Sequence, residues 1–204
     1  MTTEASDLFY AIHHTRAMRR LKPDPIPDGV LMKLIDAANQ GPTGSNKQNA
    51  SWIVVRDPAQ KQKLADLNRT AVNAYVGNPD DVAPDMRGIV NAVMWQRDHF
   101  HEIPALLVPC LEYDQKPDDT WRAGSGFGGS IWPAVQNLLL AARALGLGAA
   151  LTTLGLSDRP AAKAVLGLPD TVEPFAIIPV GYPTGNFGPV TRKPLEEIVH
   201  YDRW

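Results

Sequence analysis

One cysteine is present, Cys110, so the chain cannot close an internal disulfide, and a zinc site would have no second thiolate to draw on. It lies in the apolar run Ala105-Leu106-Leu107-Val108-Pro109-Cys110-Leu111, where a buried small hydrophobe is the ordinary reading and a redox or nucleophilic role the rarer one. No apolar stretch reaches membrane-spanning length, and the first thirty residues carry Glu4 and Asp7 but no signal-peptide run; the expectation is a cytoplasmic protein without a membrane partner. An excess of one charge is missing too. The 20 Lys and Arg face 22 Asp and Glu, a net charge of −2, so no global field recommends nucleic acid. His13 and His14 are adjacent and diverge on a helix, His99, His101 and His200 lack zinc-ligand spacing, and no GxSxG is present. Neither a metal nor a catalytic side-chain nucleophile is therefore expected. Gly124 to Gly129 is glycine-rich, but its glycines are in the wrong order for a dinucleotide fingerprint and no suitable strand closely precedes them. Repeats, low-complexity tracts and linkers are absent, and 204 residues suit one domain over 1–204.

What is present reads as alternating helices and strands. Residues 5–14 suit a short helix, and Pro23-Asp24-Pro25-Ile26-Pro27 must be extended, because proline fixes its own φ and restricts its predecessor. A helix over 28–40, capped by Asp28, puts Val30, Leu31, Leu34, Ile35 and Ala38 on one face and stops at Gly41-Pro42. Trp52 to Val55 is a strand, and Asp57-Pro58 opens a helix over 59–75. Residues 76–88 read as a surface loop and 89–101 as a polar helix. A buried strand over 105–112 follows, then a turn over 124–129 and the strongest helix, 130–145, ended by Gly146. A strand over 148–154, a short helix over 158–166 and a strand over 174–182 complete the pattern. The tail turns apolar at Leu195, Ile198, Val199, Tyr201 and Trp204, which predicts packing against a second subunit. Interleaving alone gives an α/β class.

Three places can carry chemistry. Arg16, Arg19, Arg20 and Lys22 fall within seven residues, with no acid between Asp7 and Asp24. They form either a solvated basic face or an anion site, for which guanidinium offers a planar fork matched to phosphate oxygens. Arg192-Lys193, far away in the chain, is a possible second half of such a site. The segment Pro42-Thr43-Gly44-Ser45-Asn46-Lys47-Gln48 and the strand end Thr152-Thr153-Leu154-Gly155 expose amides and hydroxyls where ligands are often bound, though either can be a plain polar loop.

Taken in order, three segments resemble the nitroreductase family: Thr15-Arg16-Ala17-Met18-Arg19-Arg20-Leu21 with Pro23 to Pro27 behind it; Gly41 to Gln48; and Val180-Gly181-Tyr182-Pro183 leading to Arg192-Lys193-Pro194-Leu195. Ala141 to Gly148 fits the family's helix end. The resemblance runs from residue 8 to 200 and shifts the class to α+β. It implies a mixed, mainly antiparallel sheet flanked by helices, an intertwined homodimer, and FMN at the subunit interface. By resemblance, Arg16 and Arg19 hold the FMN phosphate and ring edge, Ala17 contributes backbone, Arg20 is a further member, and Arg192 is the second clamp. Pro42, Thr43, Gly44 and Asn46 match the loop that reaches the flavin from the other subunit, and Thr152, Thr153 and Leu154 match the strand end beside the isoalloxazine. Two departures stand out. Ala17 replaces the clamp's usual serine, and Asn49-Ala50 replace the loop's usual proline and tryptophan.

The activity this resemblance implies is hydride transfer from NADH or NADPH to flavin N5, then reduction of a small organic acceptor such as a nitroaromatic or quinone, in ping-pong order. Arg16 or Arg19 would stabilise negative charge near flavin N1. Trp95, Phe100, Trp121, Phe127 and Trp132 are candidate pocket walls, although most aromatics serve core or interface. Two rivals remain: a specialised flavin reaction, reductive dehalogenation or flavin fragmentation, and a non-catalytic dimer that binds FMN to sequester or sense it. The region 76–130 is where substrate recognition is expected to vary.

Overall fold

The computed structural model describes residues 8–118 and 128–204. Within them five strands, β1 (Ala50–Val55), β2 (Ala105–Glu112), β3 (Gly148–Ala149), β4 (Val172–Pro174) and β5 (Ile178–Gly181), form one sheet in the order β1-β2-β5-β3, with β4 also on β2. Every strand pairing is antiparallel, for example Val54 opposite Leu107 and Leu106 opposite Pro179. The interleaved helices thus enclose an antiparallel sheet, the α+β class that the family resemblance implied.

Among the described residues six α-helices surround it: α1 (Leu8–His14), α2 (Asp28–Asn39), α3 (Pro58–Val76), α4 (Arg87–His99), α5 (Trp132–Ala144) and α6 (Arg159–Leu166). The alternation of β2 decides which helices lie on which face. Ala105, Leu107 and Leu111 join Leu31 and Leu34 of α2 and Leu138 of α5 in one core. Leu106, Val108 and Cys110 join Leu64 of α3 and Ala162 of α6 in the other. Successive side chains of a strand point to opposite faces, so one apolar strand serves both cores. Among the described residues no helix is long and apolar enough to cross a membrane.

Local chemistry sets the boundaries. Asp57 caps α3 by accepting from the Gln60 amide at 2.8 Å, with Pro58 at the first helical position. Gly146 ends α5 in the left-handed region at φ 74°, and the Leu147 amide reaches back to the Ala142 carbonyl at 2.8 Å. Three readings need correction. Asp28 is the first residue of α2 rather than its cap, and its carboxylate pairs with Arg56 instead. The apolar run 148–154 yields only two residues of strand; beyond it Thr152 makes an isolated bridge with Ile177, and Leu154–Leu156 is a 3-10 turn. The last strand begins earlier than Pro174 and is interrupted: β4 and β5 both lie along β2, with residues 175–177 between them.

Candidate functional site

The arginine-rich segment is extended and hydrogen-bonded at two points to the β3 and β5 end of the sheet. The Met18 amide donates to Ala149 O at 3.0 Å, at the end of β3, and the Lys22 amide donates to Tyr182 O at 2.7 Å, just past β5. Leu21 is buried and bridges Pro183, so the backbone of residues 18–22 behaves as an added strand. Residues on such a segment diverge, and the arginines do so here. Arg16 and Ala17 line a cavity of about 460 Å³ together with Gln136 and Leu139 of α5, Leu151, and Arg192. Arg19 lines a second cavity of about 360 Å³, with Thr152, Thr153 and Leu154 on one side and α3 and α4 on the other. Leu151 lines both, so the two spaces adjoin along residues 149–154.

The structure thus brings Arg16, Ala17 and Arg192 together across 176 positions of chain, and Arg19 together with Thr152, Thr153 and Leu154. Arg16 and Arg192 are solvent-exposed, whereas Arg19 is half-buried and its desolvation lowers the guanidinium pKa from the usual value. Arg20 lines neither cavity; its side chain is exposed and its carbonyl accepts from the Thr184 amide at 3.1 Å. Pro42, Thr43 and Asn46 line a separate space beside Gln40 and Gln48, and Gly44 donates to Ser130 Oγ at 2.9 Å. Within the chain this loop lines neither arginine cavity.

Two functional candidates escaped the sequence reading. Asn68 of α3 is 2 % exposed and Gln96 of α4 is 5 % exposed; both line the Arg19 cavity, and Asn68 Oδ1 and Gln96 Nε2 have no hydrogen-bond partner among the described residues. Leaving a buried polar atom unmet is costly, so an orphan acceptor and an orphan donor carried by two side chains of one cavity wall suit a ligand with a complementary edge. In sequence they look like ordinary polar positions of amphipathic helices. Of the aromatic candidates, Phe100 is fully buried, Trp132 packs edge-on to Phe175 and Trp95 stacks on His99; none lines either cavity. Trp121 and Phe127 lie outside the described residues.

The sequence model of the nitroreductase family matches residues 12–182. The chain belongs to the nitroreductase family. It is 27% identical over 192 residues to an NADH dehydrogenase of Thermus thermophilus, covering 90% of each chain. It is 26% identical over 193 residues to an iodotyrosine deiodinase of Haliscomenobacter hydrossis, covering 90% of this chain and 82% of that one. The solved structure of an oxidized iodotyrosine deiodinase bound to FMN and 3-iodo-L-tyrosine shares the fold at a TM-score of 0.76 and 23% identity, over 97% of this chain and 100% of that one. The lining of the Arg19 cavity falls wholly within the span that matches the nitroreductase family, and that of the Arg16 cavity does so except for Val190 and Arg192.

Proposed function

We propose that this chain is an FMN-dependent oxidoreductase that passes electrons from NADH or NADPH to a small organic acceptor of the nitroaromatic or quinone class. The carrying observation is the pair of adjoining cavities: one flanked by Arg16 and Arg192, the other holding Arg19 with the unmet amides of Asn68 and Gln96. A mononucleotide of flavin has the matching polarity, a phosphate at one end and a planar ring with an N–H between two carbonyls at the other. Two guanidinium forks would neutralise the phosphate. Asn68 Oδ1 would accept from the ring N–H while Gln96 Nε2 donates to a carbonyl, which satisfies both orphan atoms at once. Arg19, half-desolvated and on the same cavity, would favour negative charge on that ring edge. Bound FMN supplies the two-electron chemistry, and the protein supplies position and field. The names of the relatives, NADH dehydrogenase among them, support a nicotinamide donor.

In this reading the loop Pro42 to Asn46 completes the site from a second copy of the chain, which accounts for its distance from both arginine cavities within a protomer. Relatives named iodotyrosine deiodinase favour a second reading, reductive removal of halide from an aromatic acceptor on the same scaffold. The test is anaerobic. Purified protein loaded with FMN is mixed with NADH and then NADPH, and bleaching of the flavin absorbance is followed; the bleached protein is offered nitroaromatic, quinone and halophenol acceptors. Bleaching with recovery on a nitro or quinone acceptor is the expected result. Recovery on halophenol alone favours dehalogenation, and FMN that neither donor reduces would leave a binding protein without turnover.

A further inference from the structure

Arg143, in the last turn of α5, is 7 % exposed, and its Nε has no hydrogen-bond partner among the described residues. A buried cation with so little hydrogen bonding needs another source of stabilisation. Its guanidinium carbon sits 4.1 Å from the centroid of the Phe187 ring and 5.3 Å from that of Tyr10. Ring faces and the negative end of the α5 dipole supply what a carboxylate would.

The two rings belong to the two arms of the anion cradle. Tyr10 is in α1, stacked on His14 at 4.0 Å, and α1 ends two residues before Arg16. Phe187 precedes Gly188, whose Cβ position would lie 3.7 Å from Arg16 Nη1, and the same loop runs on to Arg192. One backbone hydrogen bond joins the arms, Val190 N to His13 O at 2.9 Å. Arg143 stands one turn beyond Leu139, which itself lines the cradle.

We propose that Arg143 is a positioning residue for phosphate recognition: by gripping Tyr10 and Phe187 it docks the 184–192 loop on α1, so that Arg16 and Arg192 meet the same anion. The idea rests on the FMN reading above. Riboflavin, which lacks the phosphate, separates positioning from general stability. Titrating wild type, Arg143→Met, Arg143→Lys and Phe187→Leu with FMN and with riboflavin reads the preference for the phosphate. Arg143→Met and Phe187→Leu lower FMN affinity about tenfold and leave riboflavin affinity unchanged, while Arg143→Lys, which keeps a cation on the rings, retains most of the preference. Equal losses for both ligands, no loss for either, or an intact preference in Phe187→Leu would overturn it, the last because the charge rather than the docking would then matter. If the wild type does not prefer FMN to riboflavin, the FMN reading falls. Hydrogen exchange at the Val190 amide of the flavin-free full chain still decides the role of Arg143: faster exchange in Arg143→Met supports docking, and unchanged exchange refutes it.

Discussion

At the scale of single residues, burial separates groups that look alike in sequence. Cys110 sits in β2 at 0% exposure, and burial, reinforced by the charges of Glu173 and Glu112, pushes its thiol up to about 12 from an ordinary value near 9. Below pH 9 the thiol is neutral in folded and unfolded chains alike, so its contribution is complete. Between 9 and 12 the unfolded chain releases the proton first, and stability falls as pH rises, by up to about 1.4 kcal/mol per pH unit. Denaturant titrations of wild type and Cys110→Ala across that window should diverge with this slope; parallel profiles would show that the thiol ionises freely in the fold. The same logic explains what could be read of the site beforehand. Arg16, Arg19 and Arg192 stood out because unneutralised charge is visible in sequence. Asn68 and Gln96 did not, since an amide on a helix signals nothing until its face is known to be closed.

At the scale of elements, helices were legible and short strands were not. Proline, glycine and the 3.6-residue period mark α2, α3 and α5 to within about two residues. The run 148–154 carries the same apolar character as a buried strand, but only Gly148–Ala149 pairs as one, because pairing depends on a partner edge that β5 offers for only a few residues. That brief pairing matters for the site. Gly148 admits the arginine-rich segment so closely that a Cβ there would lie 2.7 Å from Leu21 Cδ2 and 2.9 Å from Met18 Cβ. Gly148→Ala should therefore cost about 1–3 kcal/mol of stability and displace Arg19, weakening FMN binding as well. Gly29→Ala, in the first turn of α2 where nothing lies within 4 Å, is the matched control: it should hold stability or raise it by up to about 1 kcal/mol and leave FMN binding unchanged. Guanidinium unfolding with an FMN titration on each variant checks the pair, and equal behaviour of the two would contradict the packing argument.

For the whole molecule, the exposed apolar residues and the site as proposed, split between the arginine cavities and the loop Pro42 to Asn46, lead to one prediction. Leu8 and Phe9 of α1 are 61% and 70% exposed, and the chain ends with Leu195 at 68%, Tyr201 at 86% and Trp204 at 101%. Scattered apolar residues on a surface are ordinary, but these gather in the first helix, which buries only Ala11, and in the last segment. The loop Pro42 to Asn46 meanwhile faces a space of its own, away from Arg16 and Arg19. A second copy that takes the tail against its body would bury the one and deliver the other. FMN affinity should then depend on protein concentration, falling upon dilution at the point where sedimentation velocity shows dimers giving way to monomers. Ile198→Asp, placing a charge in the exposed tail, should move both transitions together to higher concentration, because an unpaired carboxylate resists burial in an apolar interface. A monomer that still binds FMN with undiminished affinity would mean that each protomer holds a whole site, and that the loop serves something else.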